Sequence, residues 1–216
     1  MKNITLSELL NAYAIGIFPM SEDRHDPSLF WVSPEFRGIL PLDQFHIPKR
    51  LRRTVKSDKY QVRIDTCFQQ CVIKCAESGK GRQSTWINDQ IIQLYQELFE
   101  HGHAHSVECW RDDVFCGGLY GVALGGAFFG ESMFSTETDA SKVALVHLIA
   151  RLKAGGYTLL DTQFISEHLQ QFGAIEVPRV KFKSILDKAI LVNTDFHSLP
   201  TGSTGSDILQ SITQIS

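Results

Sequence analysis

From Ala104 to Phe134 the chain carries three short segments that are apolar or alternate in polarity, separated by the turn signals Asp112-Asp113 and Gly125-Gly126. The segments are AHSVECW, VFCGGLYGVAL and GAFFGESMF. Short segments of this kind with turn residues between them predict neighbouring β-strands. This part of the chain is therefore expected to form a sheet of consecutive strands.

The rest of the chain alternates between helical and strand patterns. Between Ala140 and Lys153 apolar residues recur with helical spacing, which predicts a long helix with one buried side. The same reasoning predicts helices at Leu6–Ala14, Asp65–Ala76, Ile87–His101 and Val180–Ile190, and strands in YTLLDTQF and GAIEVPR. The predicted fold class is α+β.

Composition divides the chain into three parts. Residues 1–36 form a small N-terminal unit that ends in a proline-punctuated extended segment and is too short to be stable alone. Residues 37–192 form the main domain. Residues 193–216 are rich in Ser, Thr and Gly, so this tail is expected to be loosely ordered.

The overall composition is that of a globular protein, with 43% hydrophobic and 21% charged residues. No apolar run is long enough to cross a membrane and the N-terminus lacks the features of a secretory signal, so we expect a cytoplasmic protein without a membrane partner. Its five cysteines include no C-x-x-C pair, which argues against a disulfide framework or a zinc ribbon. Cys67, Cys71 and Cys75 are spaced by four and are interpreted as one buried helical stripe.

A carboxylate stands inside the apolar stretch FFGESMFS, at Glu131. A single acid at such a place is most often a surface or turn residue, because burial of an unpaired charge is costly. Asp161 and Gln163, at i and i+2 of a predicted strand, point to one face at the strand end. Together with Glu131 on a neighbouring strand end, they could converge on a cationic substrate.

The histidines of HGHAHS, His101, His103 and His105, suggest a metal site or a general base. His103 and His105 could share a strand face, but no acidic partner or third ligand stands near them at ligand spacing. Structural roles are therefore favoured, and no metal site is predicted. The Gly-Gly pairs match no phosphate-binding pattern and are interpreted as bulges or turns.

The segment KRLRR, from Lys49 to Arg53, places four cations in five residues. It is compatible both with a solvated helix start and with phosphate contacts, and the residues alone leave both open. Trp86 follows the polar loop GKGRQS and precedes a predicted helix, which is a suitable place for stacking a base.

Taken together, the motifs are specific. AYAIGIFPM, WVSPEFRGILPL, STWI, GHAHSVECW, GGLYGVALGGAFFGESMFS, DASKVAL, LLDTQ and GAIEVPR occur in this order between about Leu9 and Arg179. With these motifs in this order, the chain resembles the leucyl/phenylalanyl-tRNA–protein transferase family. The combination of GESMFS, DASK and a later D-x-Q carries most of the resemblance.

The resemblance implies an enzyme that moves leucine or phenylalanine, with methionine as a further candidate, from aminoacyl-tRNA to proteins whose N-terminal residue is Arg or Lys. The product would be marked for N-end-rule degradation. It also implies that residues 37–192 form an acyltransferase domain of the GNAT type, a mixed sheet flanked by helices, and that no metal or coenzyme is needed.

The resemblance also assigns roles to matching residues. Asp161 and Gln163 would hold and help to deprotonate the attacking α-amine, with Gln163 as an orienting acceptor and relay polarised by Asp161. Glu131 would bind the cationic acceptor end. The pocket for the transferred side chain would be lined by Leu119, Phe128, Leu148 and Leu152.

For tRNA, the resemblance implies that Trp86 packs against the terminal adenosine. Met20 occupies a second platform position, where other members have a tryptophan. The phosphates of the acceptor stem would be bound by Lys49, Arg50, Arg52 and Arg53.

Two other functions fit parts of the pattern. An acetyl-CoA-dependent N-acetyltransferase of the GNAT type would need a pyrophosphate-binding turn before the helix that starts at Ala140, and no convincing turn of this kind is present. A non-catalytic module that binds aminoacyl-tRNA or degrons would need KRLRR and Trp86 but neither Asp161 nor Gln163.

Overall fold

A computed structural model describes residues 4–77 and 84–214. Within these ranges the chain is α+β, as predicted. Its helices are α1 (Leu6–Ala14), α2 (Lys49–Lys56), α3 (Phe68–Ala76), α4 (Asp89–Glu100), α5 (Ala140–Ala154), α6 (Glu167–Gln170), α7 (Arg179–Ala189) and α8 (Gly205–Gln214). Its strands are β1 (Phe18–Met20), β2 (Phe30–Val32), β3 (Phe36–Ile39), β4 (Gln61–Ile64), β5 (Ala104–Arg111), β6 (Val114–Leu124), β7 (Ala127–Ser135), β8 (Leu159–Gln163) and β9 (Ile175–Pro178).

A mixed seven-stranded sheet forms the centre of the molecule, in the order β4-β5-β6-β7-β8-β3-β9. The predicted consecutive strands β5, β6 and β7 pair antiparallel, whereas β7 and β8 pair in parallel. A parallel pair needs a crossover connection, and α5 supplies it. The short strands β1 and β2 form a separate antiparallel ribbon.

The parallel pair separates soon after it forms. Pairing of β7 with β8 ends at Phe129 and Asp161, although both strands continue beyond these residues. On the other side of β7, Gly121 pairs with Gly130 and Tyr120 with Ser132, so Glu131 is the extra residue of a β-bulge. Bulges bend a strand and redirect side chains, often beside active sites. The bulge and the separation together open the sheet next to Glu131.

Helices cover both faces of the sheet. On one face α5 packs against β5 and β6 and is itself covered by α2 and α8. Twelve of its fifteen residues are buried, so the expected single buried side is wrong: α5 lies in the core. The other face is covered by α1, α3, α4 and α7, and Cys71 and Cys75 of α3 are buried there as predicted.

The C-terminal segment differs from the expectation of a loose tail. Residues 205–214 form α8, with Ile208, Leu209 and Ile212 buried against α5 and α2. These three apolar residues lie within one and a half helical turns and were obscured by the surrounding Ser and Thr. The carboxylate of Asp207 accepts hydrogen bonds from Thr204 N–H and Oγ1–H, which fixes the start of the helix.

The N-terminal unit packs on the main domain, as its length requires. Thr5 and Glu8 form a capping box at the start of α1, and Leu9 and Tyr13 of this helix are completely buried. The helix predicted at Asp65–Ala76 is α3, which starts at Phe68 because Asp65 has a positive φ of 58°. Of the predicted loop at 79–84, residues 79–83 lie outside the described residues. Among the described residues, no helix has the length and apolarity needed to span a membrane.

Candidate functional site

A cavity of ≈ 450 Å³ lies where β7 and β8 separate, within the size range of small-molecule sites. Apolar side chains form most of its wall and Glu131 is its one carboxylate. The lining residues are Trp86, Leu119, Tyr120, Gly130, Glu131, Ser132, Met133, Leu145, Leu148, Leu160, Thr162, Phe164, Ser166, His168 and Leu169.

A larger groove of ≈ 720 Å³ lies between α1 and the residues around β2. Among the described residues of its lining, Glu8 is the one ionisable side chain, and it serves the capping box of α1 with Thr5. Perturbed titratable groups in a concave site are typical of catalytic centres. The smaller cavity, which contains Glu131, is therefore the better candidate.

Two tyrosines from separate helices hold Glu131. Tyr13 of α1 donates to Oε1 at 2.8 Å and Tyr95 of α4 donates to Oε2 at 2.9 Å, while the two phenol oxygens lie 2.6 Å apart. Three oxygen–oxygen contacts link Glu131, Tyr13 and Tyr95 in a ring, but the two phenols supply only two protons. All three contacts can be hydrogen bonds at once only when the Glu131 carboxyl group supplies the third proton. Burial raises the pKa of Glu131 to about 7, against the opposing effect of the two tyrosine hydrogen bonds.

Asp161, by contrast, is ion-paired inside the protein. Its carboxylate receives Arg37 Nε at 2.9 and 3.1 Å and Arg37 Nη2 at 2.5 Å, and both side chains are almost completely buried. Arg37 also donates to Gly16 O, and its guanidinium lies 4.6 Å from the ring centres of Phe18 and Phe182. The charge of Asp161 is thus balanced before any substrate binds.

Gln163 has a strained backbone. Its φ is 55°, and Phe164 N–H donates to Thr162 O at 2.6 Å across it, so residues 162–164 form a tight γ-turn. The N–H of Gln163 donates to Asp161 Oδ1 at 2.8 Å, which stabilises this conformation. The turn brings Gln163 Nε2 to 3.5 Å from Glu131 Oε1, so the strain serves to place one side chain.

Three polar atoms of the cavity lining are buried and lack a hydrogen-bond partner among the described residues. They are Tyr120 Oη, Thr162 Oγ1 and His168 Nε2. Buried polar groups are normally satisfied, and exceptions concentrate at functional sites. These atoms are suited to a ligand that brings its own donors and acceptors.

Comparison with known proteins shows the family of the chain. Residues 39–187 match the family described as leucyl/phenylalanyl-tRNA protein transferase, and residues 2–35 match its N-terminal domain. The chain belongs to the leucyl/phenylalanyl-tRNA–protein transferase family. The resemblance first seen in the motifs is thereby confirmed.

Curated members of the family are similar over the whole chain. The transferase of Maricaulis maris (strain MCS10) is 56% identical over 216 residues, covering 100% of both chains. That of Caulobacter vibrioides (strain NA1000 / CB15N) is 58% identical over 212 residues, covering 98% of both. Among solved structures, L-PGS from Bacillus licheniformis aligns with a TM-score of 0.41 at 15% identity, covering 74% of this chain and 53% of the other; this likeness is too low to support an argument.

The structure divides the four residues that the family resemblance places in the aminoacyl pocket. Leu119 and Leu148 line the cavity. Phe128 and Leu152 are buried in the core and are not part of the cavity lining. Phe128 stacks on Phe196 of the C-terminal segment, whose contribution to the core was not predicted.

The two residues expected at the family's adenosine position lie on adjoining segments. Trp86 lines the cavity, and its carbonyl accepts hydrogen bonds from Ser21 N–H at 3.2 Å and Ser21 Oγ–H at 3.1 Å. Met20, next to Ser21, is partly buried in the apolar cluster that also contacts Trp86. Met20 is not part of the cavity lining.

The KRLRR segment forms the first five residues of the helix α2. Leu51 and Val55 are buried, whereas Lys49, Arg50, Arg52 and Arg53 are exposed. Arg50 Nη2 contacts both carboxylate oxygens of Asp139 at 3.1 Å. Asp139 directly precedes α5, whose Leu145 and Leu148 line the cavity, so α2 lies beside the same helix as the candidate site.

Arg37, Tyr13 and Tyr95 were not predicted from the sequence. They lie 124, 118 and 36 positions from the carboxylates that they contact, so no local spacing connects them. One signal was available for Arg37: a cation inside a largely apolar extended segment needs an acidic partner if the segment is buried.

Proposed function

We propose that this protein transfers leucine or phenylalanine, with methionine as a further candidate, from aminoacyl-tRNA to the N-terminal Arg or Lys of acceptor proteins. The observation that carries the proposal is the Glu131 carboxylate, held by neutral hydroxyls rather than by a cation, at the wall of an apolar cavity. Membership of the family supports the reaction class.

The acceptor amine is the partner that Glu131 lacks. A peptide α-ammonium has a pKa near 8, close to the pKa of about 7 at Glu131, so a proton can pass between them at little cost. The neutral amine then attacks the ester carbonyl, a C–N bond forms, and the C–O bond to the tRNA ribose breaks. The amine loses two protons in all. The first, taken by Glu131 from the ammonium, completes the contacts of Glu131 with Tyr13 and Tyr95 and is released to solvent before the attack. The second, lost by the nitrogen as the C–N bond forms, passes through the regenerated Glu131 carboxylate to the leaving ribose oxygen.

Gln163 and Asp161 have different proposed parts in this step. The Gln163 side chain, beside Glu131, orients the amine as a hydrogen-bonding group. Asp161 acts on Gln163 through the backbone N–H, so its part is to hold the γ-turn and not to accept the proton. This refines the expected relay, in which Asp161 polarises the Gln163 amide.

The apolar wall provides the place for the transferred side chain. Leu119, Met133, Leu145 and Leu148 line the cavity near Glu131 and would bury a leucine or phenylalanine side chain. Selection among apolar side chains of different shape is worth only about 1–3 kcal/mol. We therefore propose graded preference rather than strict exclusion.

For tRNA, we propose that Trp86 stacks on the terminal adenosine with Met20 nearby, and that the cations of α2 contact phosphates. Contacts to phosphates carry no sequence information, so tRNA recognition should depend on salt more than on tRNA sequence. We further propose a GNAT-type fold for the sheet and its helices, a cytoplasmic reaction, and degradation as the fate of the extended protein.

The direct test is transfer itself. The protein is incubated with Phe-tRNA or Leu-tRNA and a peptide that begins with Arg or Lys, and the extended peptide is measured by mass spectrometry. Peptides that begin with Ala, and acetyl-CoA in place of tRNA, serve as controls. Absence of extended peptide with charged tRNA, or equal modification by acetyl-CoA, would contradict the proposal.

The α2 assignment is tested by changing Arg52 and Arg53 to Ala. Each lost phosphate contact should lower the slope of log K against log salt by about one, so the double variant should lose about two. Gln93→Ala, on α4, is a control that removes no charge. Unchanged affinity and slope in the double variant would exclude α2 from the tRNA contacts.

A further inference from the structure

A second cluster of ionisable side chains lies outside the candidate active site. Asp65 precedes α3, His105 lies on β5, and His197 lies in the C-terminal segment. His105 Nδ1 is 2.8 Å and His197 Nε2 is 3.5 Å from the same oxygen, Asp65 Oδ2. The expectation that His105 has no acidic partner or third ligand is wrong, because both partners come from distant parts of the chain.

We propose that these three residues form a binding site for Zn²⁺. Two imidazoles and one carboxylate are donors that Zn²⁺ commonly takes in proteins. Their ligand atoms lie within 4.8 Å of one another. On a tetrahedral ion with bonds of about 2.0–2.1 Å, neighbouring ligand atoms lie about 3.3 Å apart. The distances of 2.8 and 3.5 Å from Asp65 Oδ2 lie on either side of this value, and rotation of the imidazoles would bring their two nitrogens, which lie within 4.8 Å of each other, onto the same ion.

The three donors are already held in place. Asp65 Oδ1 accepts the N–H of Ser106 at 2.7 Å, which leaves Oδ2 to face the histidines. The His105 ring stacks on Phe196 at a centroid distance of 4.0 Å and an interplanar angle of 8°. The N–H of His197 donates to Asp195 Oδ1 at 2.8 Å. Supporting contacts of this kind orient metal ligands and raise affinity.

The surrounding charges permit a cation. Arg151 is a nearby cation, and its Nη1 donates to the carbonyls of Phe196 and Leu199. Asp195, in the same segment as His197, adds a second negative charge to that of Asp65. Asp65 and His105 are largely buried, whereas the His197 side chain is 55% exposed. The outer side of the site therefore leaves room for a water as the fourth ligand.

The position of the site indicates a structural role. An ion bound there would join the segment that carries Phe196 and His197 to β5 and to the turn before α3. That segment leads into α8, which packs on α5 and α2. Zinc would thus stabilise the docking of the C-terminal part of the chain, and the proposal is independent of the transfer reaction.

The test is a zinc titration of the tag-free full-length chain, competed against a chromophoric chelator. We expect one Zn²⁺ per chain and an affinity that falls by more than about tenfold in His197→Ala and in Asp65→Asn. His25→Ala, which removes an exposed histidine of the N-terminal unit, is the matched control and should bind zinc like the wild type. Saturable binding is expected to raise the melting temperature of the wild type but not of His197→Ala.

Two results would overturn the proposal. One is the absence of saturable zinc binding by the folded wild type. The other is binding that persists with unchanged affinity in both His197→Ala and Asp65→Asn. Because His197 is largely exposed, its alanine variant should fold, and circular dichroism of the zinc-free protein checks this.

Discussion

Two carboxylates, Asp161 on β8 and Glu131 in the bulge of β7, lie on strands that separate just beyond their last pair. Asp161 is matched by the buried cation Arg37 through three short nitrogen–oxygen contacts. Glu131 is matched by neutral groups, the phenols of Tyr13 and Tyr95 and, at 3.5 Å, the amide of Gln163. The charge of Asp161 is thus balanced within the protein, whereas Glu131 has no cation bonded to it among the described residues.

In the reaction proposed above, this difference gives Asp161 a structural part and Glu131 a reactive part. A buried ion pair is stable when both partners are present and strongly destabilising when one is removed. Burial raises the pKa of Glu131 to about 7 against the two phenol hydrogen bonds, so this carboxylate can gain or lose a proton during a reaction. We therefore expect two roles for the same kind of group, set by whether a neighbouring strand supplies an arginine.

The largest effect is expected for Asp161→Ala. Arg37 would be left as an uncompensated buried charge, which should lower the free energy of unfolding by about 3–5 kcal/mol. Urea denaturation measures the loss. The double variant Arg37→Met with Asp161→Leu removes both charges and should recover much of the stability. A denaturation midpoint for Asp161→Ala equal to that of the wild type would refute the structural role.

Glu131→Gln is expected to lower the rate of transfer without lowering the free energy of unfolding. The amide retains the shape and an acceptor for one tyrosine but cannot take a proton or balance a cationic amine. Transfer measured as kcat/KM should fall by about 100-fold or more. The free energy of unfolding should not fall, since a neutral amide is easier to bury than a charge. Transfer close to the wild-type rate would remove Glu131 from the reaction.

The pH dependence of stability should also show that the pKa of Glu131 is raised in the folded chain. The pKa of Glu131 is raised from 4.5 to about 7, so between these values the folded chain binds more protons than the unfolded chain. The contribution of Glu131 to the free energy of unfolding therefore decreases as pH rises through this window, by on the order of 3 kcal/mol. The difference in stability between wild type and Glu131→Gln, measured at pH 5 and pH 8, should show this fall. An equal difference at both pH values would contradict it.

The sequence predicted long elements with a clear pattern better than short ones. The bounds predicted for α1 and β6 are those observed, because each has strong periodicity and a stop signal. The strands β1–β4 were missed because they have only three or four residues and draw their stability from neighbours in the sheet. The helix α8 was missed because its Ser- and Thr-rich composition outweighed three apolar residues that find a partner only in the folded chain.

For the candidate site, motifs identified the carboxylates and the amide but not their environment. Glu131, Asp161 and Gln163 stand in stretches that the family shares, so pattern alone could find them. Their protonation and roles depend on Arg37, Tyr13 and Tyr95, which reach the site from other elements. Nothing in local spacing encodes such contacts, although the proposed roles of the two carboxylates depend on them.

The smallest effect, and the finest test of the comparison, is expected for Tyr95→Phe. It removes one of the two hydrogen bonds that stabilise the charged form of Glu131, so the pKa of Glu131 should rise further. Transfer needs the ionised carboxylate, and the acidic limb of the profile of kcat/KM against pH should move to higher pH by about one unit. Tyr60→Phe, whose hydroxyl donates to Thr138 O, is the matched control and should leave the limb in place. If the acidic limb moved to lower pH, or moved equally in Tyr95→Phe and Tyr60→Phe, the phenols would not set the charge of Glu131. The difference between Glu131 and the arginine-paired Asp161 would then no longer explain which carboxylate reacts.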